Sequence, residues 1–247
     1  MSFFYKYIKG LKRIDDTDTD QLKIGKIFHS ILEGEPIDYG LPAKLQLSIE
    51  ASADYVMNEF RFKSINNKTI TELNKASKTE FELDVDGFTG FIDLVIEQED
   101  GDILVDYKYV ADLTYAQSYK LSDQTKLYPY LYELQTGRKV KQFTYLCVTK
   151  PTIRQKQTES EEAYINRVKE WYGDFDTKIA EIVIEKELLE EMTEEIKQDL
   201  HFFKHMIENE IFYKDTGSCM KYNKQCPYYP ICYNEPNAET NYKIEMR

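Results

Sequence analysis

Asp93, Asp106 and Lys108 lie within "GFIDLVIEQEDGDILVDYKYV" (Gly90–Val110), and their types and spacing could do chemistry. The apolar runs Phe91–Ile96 and Ile103–Val105 predict two strands of buried sheet joined by an acidic turn near "EQEDGD". Residues two apart in a strand face the same way. Asp106 and Lys108 therefore project side by side, while Val105, Tyr107 and Tyr109 project oppositely into the core. Across such a hairpin Asp93 can approach Asp106. Two carboxylates that close repel each other, burial makes the repulsion worse, and a hard divalent cation removes it. Mg²⁺ or Mn²⁺ takes carboxylate, water and phosphate oxygens, activates a water and stabilises charge growing on a phosphate. Lys108 could then orient that water or neutralise the transition state. The competing reading is a surface-facing hairpin with a Lys–Asp ion pair, since D-x-K beside an upstream Asp is a common pattern.

The elements that must position these residues follow from periodicity and punctuation. A helix is predicted from Asp20 to Glu33, with Leu22, Ile27, Ile31 and Leu32 on one broad face and Gly34 ending it. A second is predicted from Pro42 to Phe60, with Pro42 at a permitted first-turn position. "TEFELDV" alternates as a strand, Gly87 makes a turn, and the hairpin follows. "SDQTKLYPYLYELQTG" predicts a helix capped by Ser122, stopped by Gly137 and kinked at Pro129. "KQFTYLCVTK" is a further strand. Two acidic helices follow, Glu161–Tyr172 and Glu187–Asn209; Leu188, Met192, Ile196, Leu200, Phe203 and Ile207 recur at helical spacing in the longer one. From Phe212 the chain is loop-like. The order α-α-β-β-β-α-β-α-α predicts a single mixed α/β domain over 1–247, with a core at about 20–150 and a helical extension and Cys tail over 151–247.

A chain of 247 residues, 42% hydrophobic and 14% aromatic, can bury a sizeable core. No apolar run approaches the roughly 18–20 residues of a membrane span. No signal-type apolar core follows "MSFFYKYIKGLKR", so the expectation is a soluble, cytoplasmic protein. The net charge of −12 argues against a general polyanion binder, and nucleic acid would need a local basic patch or bound cations.

"GFID-(x12)-DYK" resembles the signature of the PD-(D/E)xK nuclease superfamily, in particular its RecB-type branch, which includes phage exonucleases and CRISPR-adaptation nucleases. "GKIFHSILEG" is similar to the family's helical His motif, with Gly25 and His29 on one face and the small Gly letting that face sit against the sheet. Gln124 and Tyr128 match a Gln and a Tyr four apart on the helix after the catalytic strand. The resemblance implies a restriction-endonuclease-like mixed sheet flanked by helices. It implies His29, Asp93 and Asp106 as ligands of Mg²⁺ or Mn²⁺, with the backbone carbonyl of Tyr107 and an acidic position at Glu80. It implies Lys108 as the catalytic lysine, with Gln124 and Tyr128 positioning the strand or supporting it.

The implied activity is metal-dependent DNA hydrolysis, most directly by an exonuclease of phage or prophage recombination in a bacterial or phage-infected cytoplasm. The alternatives are an end-trimming nuclease and a catalytically silent DNA-binding module. A single-strand annealing recombination protein and a second copy of the chain are the implied partners, with no membrane. Candidate phosphate contacts are Lys23 and Lys26 on the His29 helix, Arg138, Lys139 and Lys141 in "RKVK", and Lys150, Arg154 and Lys156 in "KPTIRQK".

Cys219, Cys226 and Cys232 cluster in "CMKYNKQCPYYPIC", a pattern that suits a metal or structural site better than a disulfide framework. Relatives that carry an iron–sulfur cluster use one Cys ahead of the nuclease motifs and three near the C-terminus. Here the fourth Cys is Cys147, in a core-like strand, so the expectation is no complete four-Cys cluster. A zinc site shared with His201 and His205 is the other metal reading.

Overall fold

A computed structural model describes residues 11–13, 19–85, 88–209, 211, 217, 219–220 and 225–244. In chain order the elements are β1 (Leu11–Arg13), α1 (Asp20–Glu33), α2 (Ala43–Glu59), α3 (Ile70–Asn74), β2 (Lys78–Val85), β3 (Phe88–Ile96) and β4 (Asp102–Val110). Then come α4 (Asp123–Thr136), β5 (Val140–Thr149), α5 (Glu161–Trp171), α6 (Phe175–Lys178), β6 (Ile179–Glu185), α7 (Lys186–Glu208), α8 (Tyr229–Cys232) and β7 (Tyr242–Ile244). Contacts divide the chain into two compact units, Thr19–Lys197 and residues 1–18 with 198–247.

The larger unit is built on a five-stranded sheet in the order β2-β3-β4-β5-β6. Only β4 and β5 are parallel, and α4 makes the crossover between them. Local chemistry sets the two helices that matter most. Thr19 caps α1 by accepting from Leu22 N, and Gly34 ends it at φ 88°, where a side chain would be strained. Ser122 caps α4, Gly137 ends it at φ 71°, and the helix continues through Pro129 without a break. The turn expected at Gly87 lies outside the described residues.

One apolar layer packs α1, α2 and α5 on the sheet through Phe28, Ile49, Val56, Val105, Tyr107 and Tyr172. The other packs α4 and the start of α7 through Leu104, Leu131, Tyr132, Tyr145 and Leu189. The result is the mixed sheet flanked by helices that the motif resemblance implies.

Two features go beyond what periodicity along the chain predicts. The extension expected from residue 151 is in part sheet: β6 pairs with β5 through seven registered positions, and Tyr164, Val168 and Tyr172 join the core. Without β6, the buried strand β5 would present an open edge. The apolar stripe of α7 is also not uniformly covered. Met192 and Ile196 are buried, whereas Phe203 and Ile207 are 38% and 40% exposed.

In the smaller unit β1 pairs antiparallel with β7, and Tyr228 stacks on Tyr242 at 5.8 Å. No disulfide joins the four cysteines; Cys147 and Cys232 are buried, and Cys219 and Cys226 are half-buried.

Candidate active site

Helix α1 presents His29, and one turn later Glu33, toward β3. His29 Nδ1 lies 3.3 Å from Asp93 Oδ2. Asp93 is aimed there by a break in the alternation of β3. Ile92 and Val95 pack in the same apolar layer although three residues apart, so the strand rotates between them. Glu80, aligned opposite on β2 between the paired Thr79–Leu94 and Phe81–Ile92, has φ 45°, outside the extended range. The β3–β4 ladder begins at Leu94–Val105. Asp93 Oδ2 instead accepts a 2.6 Å hydrogen bond from Tyr107 N. Tyr107 thus meets the site through its backbone N–H, where the resemblance names its carbonyl.

One ligand atom from each of His29, Glu33 and Asp93 lies within 4.8 Å of the others, and among the described residues this is the group close enough to hold a metal ion. Burial, then Asp93 and Glu80, push the Glu33 carboxyl up to about 8. Burial works to lower the His29 imidazole, yet Asp93, Asp106 and Glu33 hold it above its ordinary value. The Tyr107 hydroxyl is buried with no hydrogen-bond partner, and the Tyr107 ring sits edge-on to His29 at 6.1 Å. Crowded carboxylates beside an imidazole fit a divalent ion by donor chemistry.

Asp106 and Lys108 face the α4 side of the same strand. Lys108 Nζ lies 2.6 Å from Asp106 Oδ2 and donates to Gln124 Oε1 at 3.0 Å, while Gln124 Nε2 donates to Asp106 Oδ1. Burial, then Asp93, push the Asp106 carboxyl up to about 6, against the pull of Lys108. Burial alone would lower Lys108, but Asp106 and Asp93 hold it above the ordinary lysine value, so it remains an ammonium. Its Nζ also lies 5.5 Å and 5.8 Å from the ring centroids of Tyr145 and Tyr119. Tyr128 packs over Gly90, where an added Cβ would fall 2.7 Å from the Tyr128 hydroxyl. Cys147 pairs in register with Lys108, and burial pushes its thiol up to about 12, which makes it inert.

The structure therefore brings His29, Asp93 and Tyr107 together, with Glu80 near enough to help raise the Glu33 carboxyl. It gathers Asp106, Lys108 and Gln124 beside them, within electrostatic reach of Asp93. Glu33 was missed by the sequence reading. Its signal is the four-residue spacing from His29, which puts both on one helix face. Gly25 does not let α1 close on the sheet as expected; a Cβ there would meet open space, because Gly25 lines a cleft of about 470 Å³.

Of the candidate phosphate contacts, Lys26 lines that cleft, Lys23 is half-buried on the same helix, and Lys150 reaches Gln21 at its edge. Arg154 and Lys156 are exposed on the loop after β5. Arg138, Lys139 and Lys141 instead pair with Asp102, Glu133 and Asp100 around the other end of β4. The tail cysteines Cys219, Cys226 and Cys232 form no comparable ligand group among the described residues.

No curated protein gave a significant match to the chain. A crystal structure of a phage-related exonuclease from Haemophilus somnus 129PT is similar at 15% identity, covering 85% of this chain and 94% of that one, with a TM-score of 0.37. The family model of the PD-(D/E)XK nuclease superfamily matches residues 1–233. The chain belongs to the PD-(D/E)XK nuclease superfamily.

Proposed function

We propose that the protein is a divalent-cation-dependent DNA nuclease that works from ends, as an exonuclease of the phage-recombination type would. The observation that carries the reading is the gathering of His29, Glu33 and Asp93 within 4.8 Å, beside the Asp106–Lys108–Gln124 set. His29, Glu33 and Asp93 would hold Mg²⁺ or Mn²⁺, with Asp106 the neighbouring carboxylate. A bound ion supplies Lewis-acid polarisation of the phosphate and a more acidic water.

The chain's own groups do the rest. Lys108 remains charged and acts as a donor, either to the attacking water or to the phosphate oxygen that gains charge. Gln124 fixes Lys108 and Asp106 relative to one another through its two amide atoms. Tyr107 N–H holds Asp93 toward α1. Preference for DNA ends rests on the motif resemblance, as do the annealing-protein partner, a homo-oligomer and a cytoplasmic setting.

End-labelled linear DNA and covalently closed circular DNA, each with Mg²⁺, Mn²⁺ or EDTA, test the proposal. Linear DNA should be degraded only with metal, and closed circles should survive. Rapid cutting of closed circles would make the protein an endonuclease, and cleavage in EDTA would remove the metal.

A further inference from the structure

The cleft beside the metal-ligand group has an unusual lining. Leu22 on α1, Ile37 on the loop after it and Phe91 on β3 are 49%, 48% and 54% exposed, and all three line this cleft with Tyr39. They come from three separate segments, so no single amphipathic face explains them. Large apolar side chains left half in water around one concavity mark a binding surface. Phe91 is two residues before Asp93, ahead of the break in alternation, and both line the cleft. Whatever rests on Phe91 therefore reaches the group formed by His29, Glu33 and Asp93.

The charge of the lining selects the occupant. Glu33, Glu80 and Asp93 supply three carboxyl groups, and among the described lining residues Lys26 is the one lysine or arginine. Such walls repel a track of phosphates, and a single phosphate is welcome only where a cation screens the acids. The part of a nucleic-acid strand that suits aromatic and aliphatic walls is the face of a base. In an intact duplex that face is covered by its neighbours. A volume of about 470 Å³ lies in the range of small-ligand pockets and suits about one nucleotide, not a double helix.

We propose that this cleft is a nucleobase subsite: an unpaired base next to the scissile phosphate is received against Phe91, Leu22, Ile37 and Tyr39, so the substrate is a single-stranded or frayed DNA end. The inference rests on the nuclease reading given above. It makes base stacking, not a basic groove, the main source of strand affinity beyond the metal. That is how a chain with net charge −12 would hold DNA.

The test is a binding titration that does not depend on turnover. Lys108→Ala protein in Mn²⁺ is titrated with a fluorescent single-stranded oligonucleotide, with the same strand carrying one abasic position placed in turn along its length, and with the blunt duplex. The intact strand should bind about tenfold tighter than the duplex and than one abasic strand, the loss expected for one base–aromatic stack. Adding Phe91→Ala should weaken the intact strand about tenfold and erase its advantage over the abasic one. Phe91→Trp should restore both. Equal binding of intact and abasic strands, full discrimination in Phe91→Ala, or no DNA binding at all would overturn the subsite. Base-dependent binding by a wild-type protein that cleaves no DNA with any cation would keep the subsite and remove the nuclease reading. Metal-dependent cleavage with base-indifferent binding would do the reverse.

Discussion

Two buried carboxylates lie four residues apart on β4, and both meet α4. Asp102 is 0% exposed and fully answered. Gln98 N–H, Tyr132 O–H and the two-pronged guanidinium of Arg138 all bond it, at 2.6–2.9 Å. Burial alone would raise its carboxyl, but Arg138, Gln98 and Tyr132 hold it below the ordinary value. Asp106 is 2% exposed, shares Lys108 and Gln124, feels Asp93, and is pushed up to about 6. The same residue type, on the same strand, is structural where the fold supplies its partners and poised where the fold withholds them. The cations assigned from the sequence to DNA explain part of the contrast: Arg138 answers Asp102, and Lys141 pairs with Asp100 beside it.

The contrast breaks first on activity. Asp106→Asn and Lys108→Ala should each lower DNA cleavage by about 100- to 1,000-fold, the cost of losing a preorganised charge at the reacting phosphate. Asp102→Asn should leave turnover per folded molecule nearly intact. Single-turnover kinetics on linear DNA would show it, and an active Lys108→Ala protein would misplace the catalytic strand.

Stability should show the opposite ranking. Asp102→Asn removes the charge that answers Arg138 and replaces one of the two accepting oxygens with an NH2 donor, which costs about 3 kcal/mol, at the low end for a buried pair because Arg138 is 41% exposed. Asp106→Asn relieves repulsion from Asp93 and should hold or raise the melting temperature of metal-free protein. Urea unfolding of the two variants side by side measures both. Equal losses would erase the distinction.

The next effect depends on pH. Glu33 at about 8 and Asp106 at about 6 lie above the ordinary unfolded carboxylate values. Their contribution to stability is full below those unfolded values and is lost as pH rises through about 6 and then about 8. Metal-free protein should therefore melt a few degrees lower at pH 8.5 than at pH 5, and Mn²⁺ should restore most of the difference. Glu33→Gln should remove the upper part of the fall and weaken Mn²⁺ binding by about tenfold or more. Calorimetry that finds wild-type Mn²⁺ affinity in Glu33→Gln would take Glu33 out of the ligand group.

The smallest effect concerns support for the poised site. Gly90→Ala places a Cβ 2.7 Å from the Tyr128 hydroxyl and 2.9 Å from its Cζ, so the Tyr128 ring must shift. Turnover should fall several-fold with little change in stability. In a Tyr128→Ala background the same substitution should add nothing, a coupling that a double-mutant cycle reads directly.

The sequence by itself determined the elements whose signals are local. Thr19 and Gly34 bound α1, Ser122 and Gly137 bound α4, and the hairpin places Asp106 beside Lys108, because caps, turns and strand alternation act over a few residues. The motif order also named His29, Asp93, Gln124 and Tyr128 for a common site, and the structure brings each to the neighbourhood of β3 and β4. Only the tertiary structure decided what depends on partners distant in the chain. β6 is a strand because β5 needs a neighbour, not because "IAEIVIE" is strongly patterned. Glu33 becomes a candidate ligand because the rotation of β3 at Asp93 turns that carboxylate toward α1. Arg138 becomes structural because Asp102, 36 positions earlier, is buried within its reach. Charge and hydrophobicity can be counted along a chain, but whether a buried charge is answered depends on which groups the fold brings within hydrogen-bond distance.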